Sequence, residues 1–166
     1  MSHPNIDTLN DLAQECVDVW MAKLANTDFK KTTRPSITLN QRGSIAGAAV
    51  LQKNHIKLQA KLFEQNQTTF TQEVIPHELA HLVVFQHYGK VKPHGMQWQY
   101  VMKNVFGIEP KVRHSLDVRA AGVKMFDYEC ACDTVQLSAI RHNRVLRGEQ
   151  RYYCKRCKQA LVESIV

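Results

Sequence analysis

The sequence predicts an α+β protein: helices packed on a small three-stranded sheet, followed by a short cysteine-rich β module. Three observations carry this. Apolar residues recur at helical spacing in several segments, three short strand-like runs follow the first of them, and four of the five cysteines fall after residue 129. At 166 residues the chain has room for one domain and a small appendage. Its 44% hydrophobic and 22% charged residues are ordinary for a folded globular protein and exclude a disordered chain.

Residues 5–26 carry Ile6, Leu9, Leu12, Ala13, Cys16, Val17, Trp20 and Leu24 at a helical period, with charges on the other side. This is a packing helix, with Cys16 as a buried thiol. After the turn-rich "NTDFKKTTRP" come three strand candidates, "SITLN", "SIAGAAVLQ" and "HIKLQ", with Gly43 and Asn54 in the gaps. Gly47 and its alanine neighbours leave the second strand thin. Either a helix packs closely there or a substrate backbone approaches it.

A helix over about residues 69–88 ends at Gly89, and Pro76 belongs to its first turn or marks a kink. The next helix, "MQWQYVMKNVF", places Trp98, Val101, Met102 and Val105 on one side and stops at Gly107. Residues 110–125 carry a weak pattern, read as a further helix. From Phe126 the pattern turns to strands, turns and cysteines, so the domains are expected to be 1–125 and 126–166.

The segment "VIPHELAHLVVFQHYGKVKPHGMQW" holds the chemistry. Four residues advance a helix slightly more than one turn, so His77 and His81 share a face and can reach one metal. Glu78 follows the first histidine and projects beside the metal, within reach of a water. His94 supplies a third ligand once the chain turns back after Gly89, and Gly95 leaves space around it. Three neutral nitrogens and an open position describe a catalytic zinc rather than a hard cation. Surface or core histidines are the plain alternative; a zinc site that is structural only is another, and it leaves Glu78 without a role. With zinc in place, Glu78 takes a proton from water and passes it to a leaving amine, which is hydrolysis of a peptide bond, with another amide left open by the spacing alone. His114 is the candidate for stabilising the oxyanion, with Tyr88 and Tyr100 behind it. An ordinary exposed histidine is the competing reading.

Cys130 and Cys132 form C-x-C, and Cys154 and Cys157 form C-x-x-C after a hairpin-length segment. Two such pairs make a zinc ribbon closed by four ligands, and hence a structural zinc. The C-x-C is tight, which leaves His142 as a substitute ligand. From Cys130 to Lys158 there are seven basic residues against Asp133 and Glu149, so this segment holds five of the seven net positive charges. Arg141, Arg144, Arg147 and Arg151 suit phosphates, and Tyr152 and Tyr153 can stack on unpaired bases. The partner expected is DNA, single-stranded or with single-stranded character; a merely solvated basic face is the alternative.

The N-terminus lacks the pattern of a signal peptide, and no apolar run approaches a membrane span. A cytoplasmic monomer without membrane contact is expected.

Taken together, "QRGSIAGAAVL", "VIPHELAHLVVFQHYG", "KPHGMQW" and "YECACDTVQLSAIRHNRVLRGEQRYYCKRC" resemble the SprT-like family of zinc metalloproteases over nearly the whole chain. The resemblance implies a zincin-like catalytic domain with His77, His81 and His94 as zinc ligands and Glu78 as the catalytic residue. It also implies kinship with the Spartan protease domain, which digests proteins crosslinked to DNA. Two functions follow: a zinc endopeptidase brought to protein substrates by DNA, or a non-enzymatic, zinc-stabilised nucleic-acid-binding or regulatory protein. Glu78 favours the first, since a scaffold has no need of a carboxylate beside the ligand pair.

Overall fold

The computed structural model describes residues 6–111, Leu116 and residues 124–164. The chain divides into two compact units, Met1–Asp117 and Val118–Val166. None of the described helices is long and apolar enough to cross a membrane.

In the first unit, α1 (Ile6–Ala22) buries Leu9, Ala13, Cys16 and Val17, the apolar stripe of its sequence. Strands β1 (Ser36–Thr38), β2 (Gly47–Val50) and β3 (His55–Leu58) form a sheet of order β1-β3-β2, with β1 parallel and β2 antiparallel to β3. Ile37, Ile56 and Leu58 point into the core. Gly47 and Ala49 lie opposite Leu58 and Ile56 in register, so they share that inner face. The short helix α2 (Ala60–Gln65) is capped by the Gln59 side chain, which accepts the Leu62 N–H at 3.0 Å.

Helix α3 (Gln67–Thr69), a π-helical turn (Phe70–Val74) and α4 (Ile75–Tyr88) follow without leaving helical backbone angles. The π turn explains how Pro76 sits inside a helix. Ile75 donates its N–H to the Phe70 carbonyl, five residues back. The next bond in that register would run from residue 76 to Thr71, and proline has no N–H to give. The Thr71 carbonyl instead accepts the Trp20 indole N–H at 2.9 Å and the Cys16 thiol at 3.3 Å. Two residues whose spacing on α1 suggests only apolar filling thus satisfy the backbone group that the proline orphans. Helix α5 (Met96–Tyr100) continues through a second π turn (Val101–Val105), burying Trp98, Val101 and Met102.

In the second unit, β4 (Met125–Glu129), β5 (Thr134–Ser138) and β6 (Val162–Glu163) form an antiparallel sheet of order β5-β4-β6. A helix, α6 (Ala139–Leu146), starts directly after β5, in the stretch expected to be hairpin. The sequence hid it because its buried residue is a histidine, while Ile140 and Leu146 are exposed. His142 stacks on Phe126 with ring centroids 3.5 Å apart and planes at 4°, and its Nδ1 lies 3.1 Å from the Tyr128 hydroxyl.

Candidate metal centres

The helix α4 presents His77 and His81 one turn apart. Gly89, at φ 68°, ends the helix, and the loop that follows returns His94, itself at φ 56°, to face them. Gly95 is needed for that return. A Cβ there would stand 2.9 Å from the Lys92 carbonyl oxygen, which already accepts the Gly95 N–H at 3.0 Å. The three Nε2 atoms converge: His77 to His81 at 3.2 Å, and His94 to each of them at 3.1 Å. A tetrahedral zinc with bonds of about 2.0–2.1 Å needs ligand nitrogens about 3.3 Å apart, so the residues fit the ion. Burial holds the His81 pKa down to about 4, helped by His94 nearby, and burial also lowers that of His94. Both imidazoles are neutral at pH 7, the form that ligates metal.

Trp98 is the residue whose role here sequence reasoning missed. Its buried ring lies 4.8, 5.6 and 4.7 Å from the rings of His77, His81 and His94, forming the wall behind all three. Its Nε1 donates to the His77 carbonyl at 3.3 Å. The signal available was its fixed distance from His94 in "HGMQW"; the apolar period around it suggested only core packing.

Glu78 is buried, and its Oε2 accepts the Ala49 N–H of β2 at 2.9 Å. A Cβ on Gly47 would meet Val74 Cγ1 at 2.9 Å and Glu78 Cγ at 3.1 Å. The thin strand therefore lets the helix pack closely, and in doing so seats the carboxylate. Burial raises the Glu78 pKa from 4.5 to about 7, against the opposing Ala49 hydrogen bond. A raised folded-state pKa stabilises fully below the unfolded value near 4.5, and that stabilisation is lost as pH rises through 7. In chelator, wild type should therefore lose about 2–3 kcal/mol relative to Glu78→Gln between pH 5 and 8. Urea unfolding across that range checks it; a gap constant with pH would place the Glu78 pKa in the ordinary range.

Of the remaining expected residues, His114 lies outside the described residues. Tyr88 and Tyr100 pack their rings against Phe29, with centroids 6.3 and 6.4 Å away.

In the second unit the sulfurs of Cys130, Cys132, Cys154 and Cys157 all lie within 4.8 Å of one another, with Cys132 at 3.6 Å from both Cys130 and Cys154. Tetrahedral zinc–thiolate bonds of about 2.3 Å require sulfurs about 3.8 Å apart, so this set also fits. Backbone N–H groups of Cys157 and Arg156 pull the Cys154 thiol below its ordinary range, while the neighbouring thiols push Cys132 up. Four sulfurs this close cannot all ionise without a cation between them. His142 is engaged by Phe126 and Tyr128, and the four sulfurs converge without it. Elemental analysis should give two zinc ions per chain. A value of one, unchanged on replacing Cys154 and Cys157, would remove the second centre.

The arginines are exposed: Arg141 and Arg144 on α6, Arg147 at its C-terminal cap and Arg151 beyond it. Arg147 is clamped by Glu149 at 2.6 and 3.0 Å, which offsets its charge. The Arg141 guanidinium lies 5.7 Å from the Tyr152 ring centroid. A cavity of about 390 Å³ opens here, lined by Val135, Leu137, Arg141, Tyr152 and Tyr153 among others.

The SprT-like family model matches residues 18–114, which include the sheet, Glu78 and all three converging histidines. The chain belongs to the SprT-like family. It is 49% identical over 139 residues to Protein SprT of Vibrio parahaemolyticus, covering 83% of this chain and 84% of that protein. With Protein SprT of Vibrio atlanticus it shares 42% over 159 residues, covering 95% and 93%. With that of Klebsiella pneumoniae it shares 44% over 142 residues, covering 84% and 86%. A match over 95% of the chain runs through the cysteine unit as well. No solved structure matches the chain.

Proposed function

We propose that this SprT-like protein is a zinc-dependent endopeptidase acting on DNA-bound or DNA-crosslinked proteins. The observation that carries the reading is Glu78: a buried carboxyl beside three converging imidazoles, held by the backbone of β2. Zinc held by His77, His81 and His94 would supply Lewis acidity, activating water and polarising a carbonyl. Glu78 takes the proton from the attacking water and delivers it to the leaving amine. In the metal-free site burial raises the Glu78 pKa, so the carboxylate is a stronger base there than an exposed one. In this reading His114 hydrogen-bonds the developing oxyanion. Strand β2 is an edge of its sheet and directs the Ala49 N–H toward Glu78, away from β3, so an extended peptide laid along that edge would pass Glu78.

The second centre, with Cys130, Cys132, Cys154 and Cys157, has no open position and serves as a structural zinc. The exposed arginines, with Tyr152 and Tyr153 around the cavity, suit a single strand: cations for phosphates and aromatic faces for bases. Incubating a DNA-binding protein with the zinc-loaded chain, with and without single-stranded DNA, tests the whole reading. Cleavage that depends on Glu78 and rises with DNA is expected. Cleavage absent in both conditions would leave a zinc-stabilised binding protein instead.

A further inference from the structure

We infer that a small cavity beside His77 receives the side chain of one residue flanking the scissile bond and restricts it to a short aliphatic group. This rests on the endopeptidase reading and names what that site would select. The cavity has a volume of about 70 Å³ and is lined by Glu73, His77, Met102, Ile108, Glu109 and Lys111. His77 is one of the three converging ligands, and Glu73 lies one turn before it on the same helical run. A substrate residue next to a carbonyl at the metal centre would pass His77, and its side chain is the one this inference places in the cavity.

The walls are built rather than accidental. Gly107, at φ 73°, turns the chain at the end of the second π turn, and the Ile108 N–H closes onto the Met102 carbonyl at 2.8 Å. That bond sets Ile108 and Met102 side by side as the apolar wall. Beyond it, Lys111 Nζ lies 3.6 Å from Glu73 Oε1, tying the returning segment to the helix that carries His77. The cavity is thus bounded by a helix on one side and a pinned turn on the other.

Its size sets the selection. A cavity that admits benzene measures about 150 Å³, so one of about half that volume holds two or three carbons. Side chains of the size of alanine or valine fit, and aromatic ones do not. The rim is charged of both signs, with Glu73, Glu109 and Lys111 around it and Lys111 paired to Glu73, so size rather than charge sets the selection.

The test uses the zinc-loaded full chain and a peptide mixture varied at both positions flanking one cleavable bond, with products read by mass spectrometry. One flanking position should prefer short aliphatic over aromatic residues by about tenfold or more. Ile108→Ala should widen that same position to leucine and phenylalanine, and Ile108→Phe should narrow it further. Ile108 is half-buried at a helix end, and a thermal melt of each variant shows whether the fold survives. In parallel, peptide hydroxamates with a valine-like or phenylalanine-like side chain are titrated against the zinc-loaded protein, which reads the cavity without turnover. About tenfold tighter binding of the valine-like compound, abolished in Ile108→Ala, is expected. Glu78-dependent cleavage with equal tolerance at both positions would overturn the cavity while sparing the protease reading. Selective hydroxamate binding without any cleavage would do the reverse. Hydroxamates bound without regard to side chain would overturn the cavity whether or not peptides are cut.

Discussion

Replacing Glu78 with Gln should lower cleavage by about 10²–10⁴-fold while zinc stays bound, because in the proposed mechanism the residue acts on water and not on the metal. The Gln carbonyl can still accept the Ala49 N–H that holds Glu78 at 2.9 Å, and the slot over Gly47 still fits it, so packing at the site is retained. What disappears is the group that takes a proton. His94→Ala should behave differently: it leaves Glu78 in place and removes one of three imidazoles, so metal retention falls first and activity follows it. Zinc content and cleavage of an unstructured protein, measured on the same preparations, separate the two effects. Near wild-type cleavage by zinc-loaded Glu78→Gln would mean that another group is the base, and the mechanism given for this centre would be wrong.

The convergence of His77, His81 and His94 was legible because its spacing is geometric. Residues four apart on a helix must share a face, and a glycine stop followed by a short loop must return the chain nearby. The position of Glu78 was legible for the same reason, but the partner that holds it was not. Ala49 contributes a backbone N–H, which no residue type announces. Pro76 was an obstacle in the sequence for a related reason. The bond it forbids is replaced by Trp20 and Cys16, more than fifty residues away along the chain, and only the folded structure brings them to Thr71. In the second unit, helix α6 escaped because period-based reading assumes that aliphatic residues face inward. Here His142 is the buried one, and Ile140 and Leu146 point to solvent.

Helix α6 also sharpens the expected behaviour toward DNA. Reversing Arg141 and Arg144 to Glu should weaken binding of a single strand strongly and flatten its salt dependence. Both side chains are exposed on the same short helix, and neither is clamped as Arg147 is by Glu149. Each phosphate that is no longer neutralised should lower the log–log salt slope by about 0.7, so the pair should lower it by about 1.4. The four sulfurs are elsewhere in the unit and His142 faces the other side of the helix against Phe126, so zinc content and fold should survive. Replacing Arg141 also takes a guanidinium away from the ring of Tyr152, which removes a cation from the cavity that would take a base. Cleavage of a DNA-bound protein should fall with the affinity, whereas cleavage of a short flexible peptide should not, because the peptide needs only the histidine centre. A fluorescent oligonucleotide titrated at several salt concentrations reads both affinity and slope. Unchanged values would make the arginines a solvated face and would remove them as the proposed route to DNA-bound substrates.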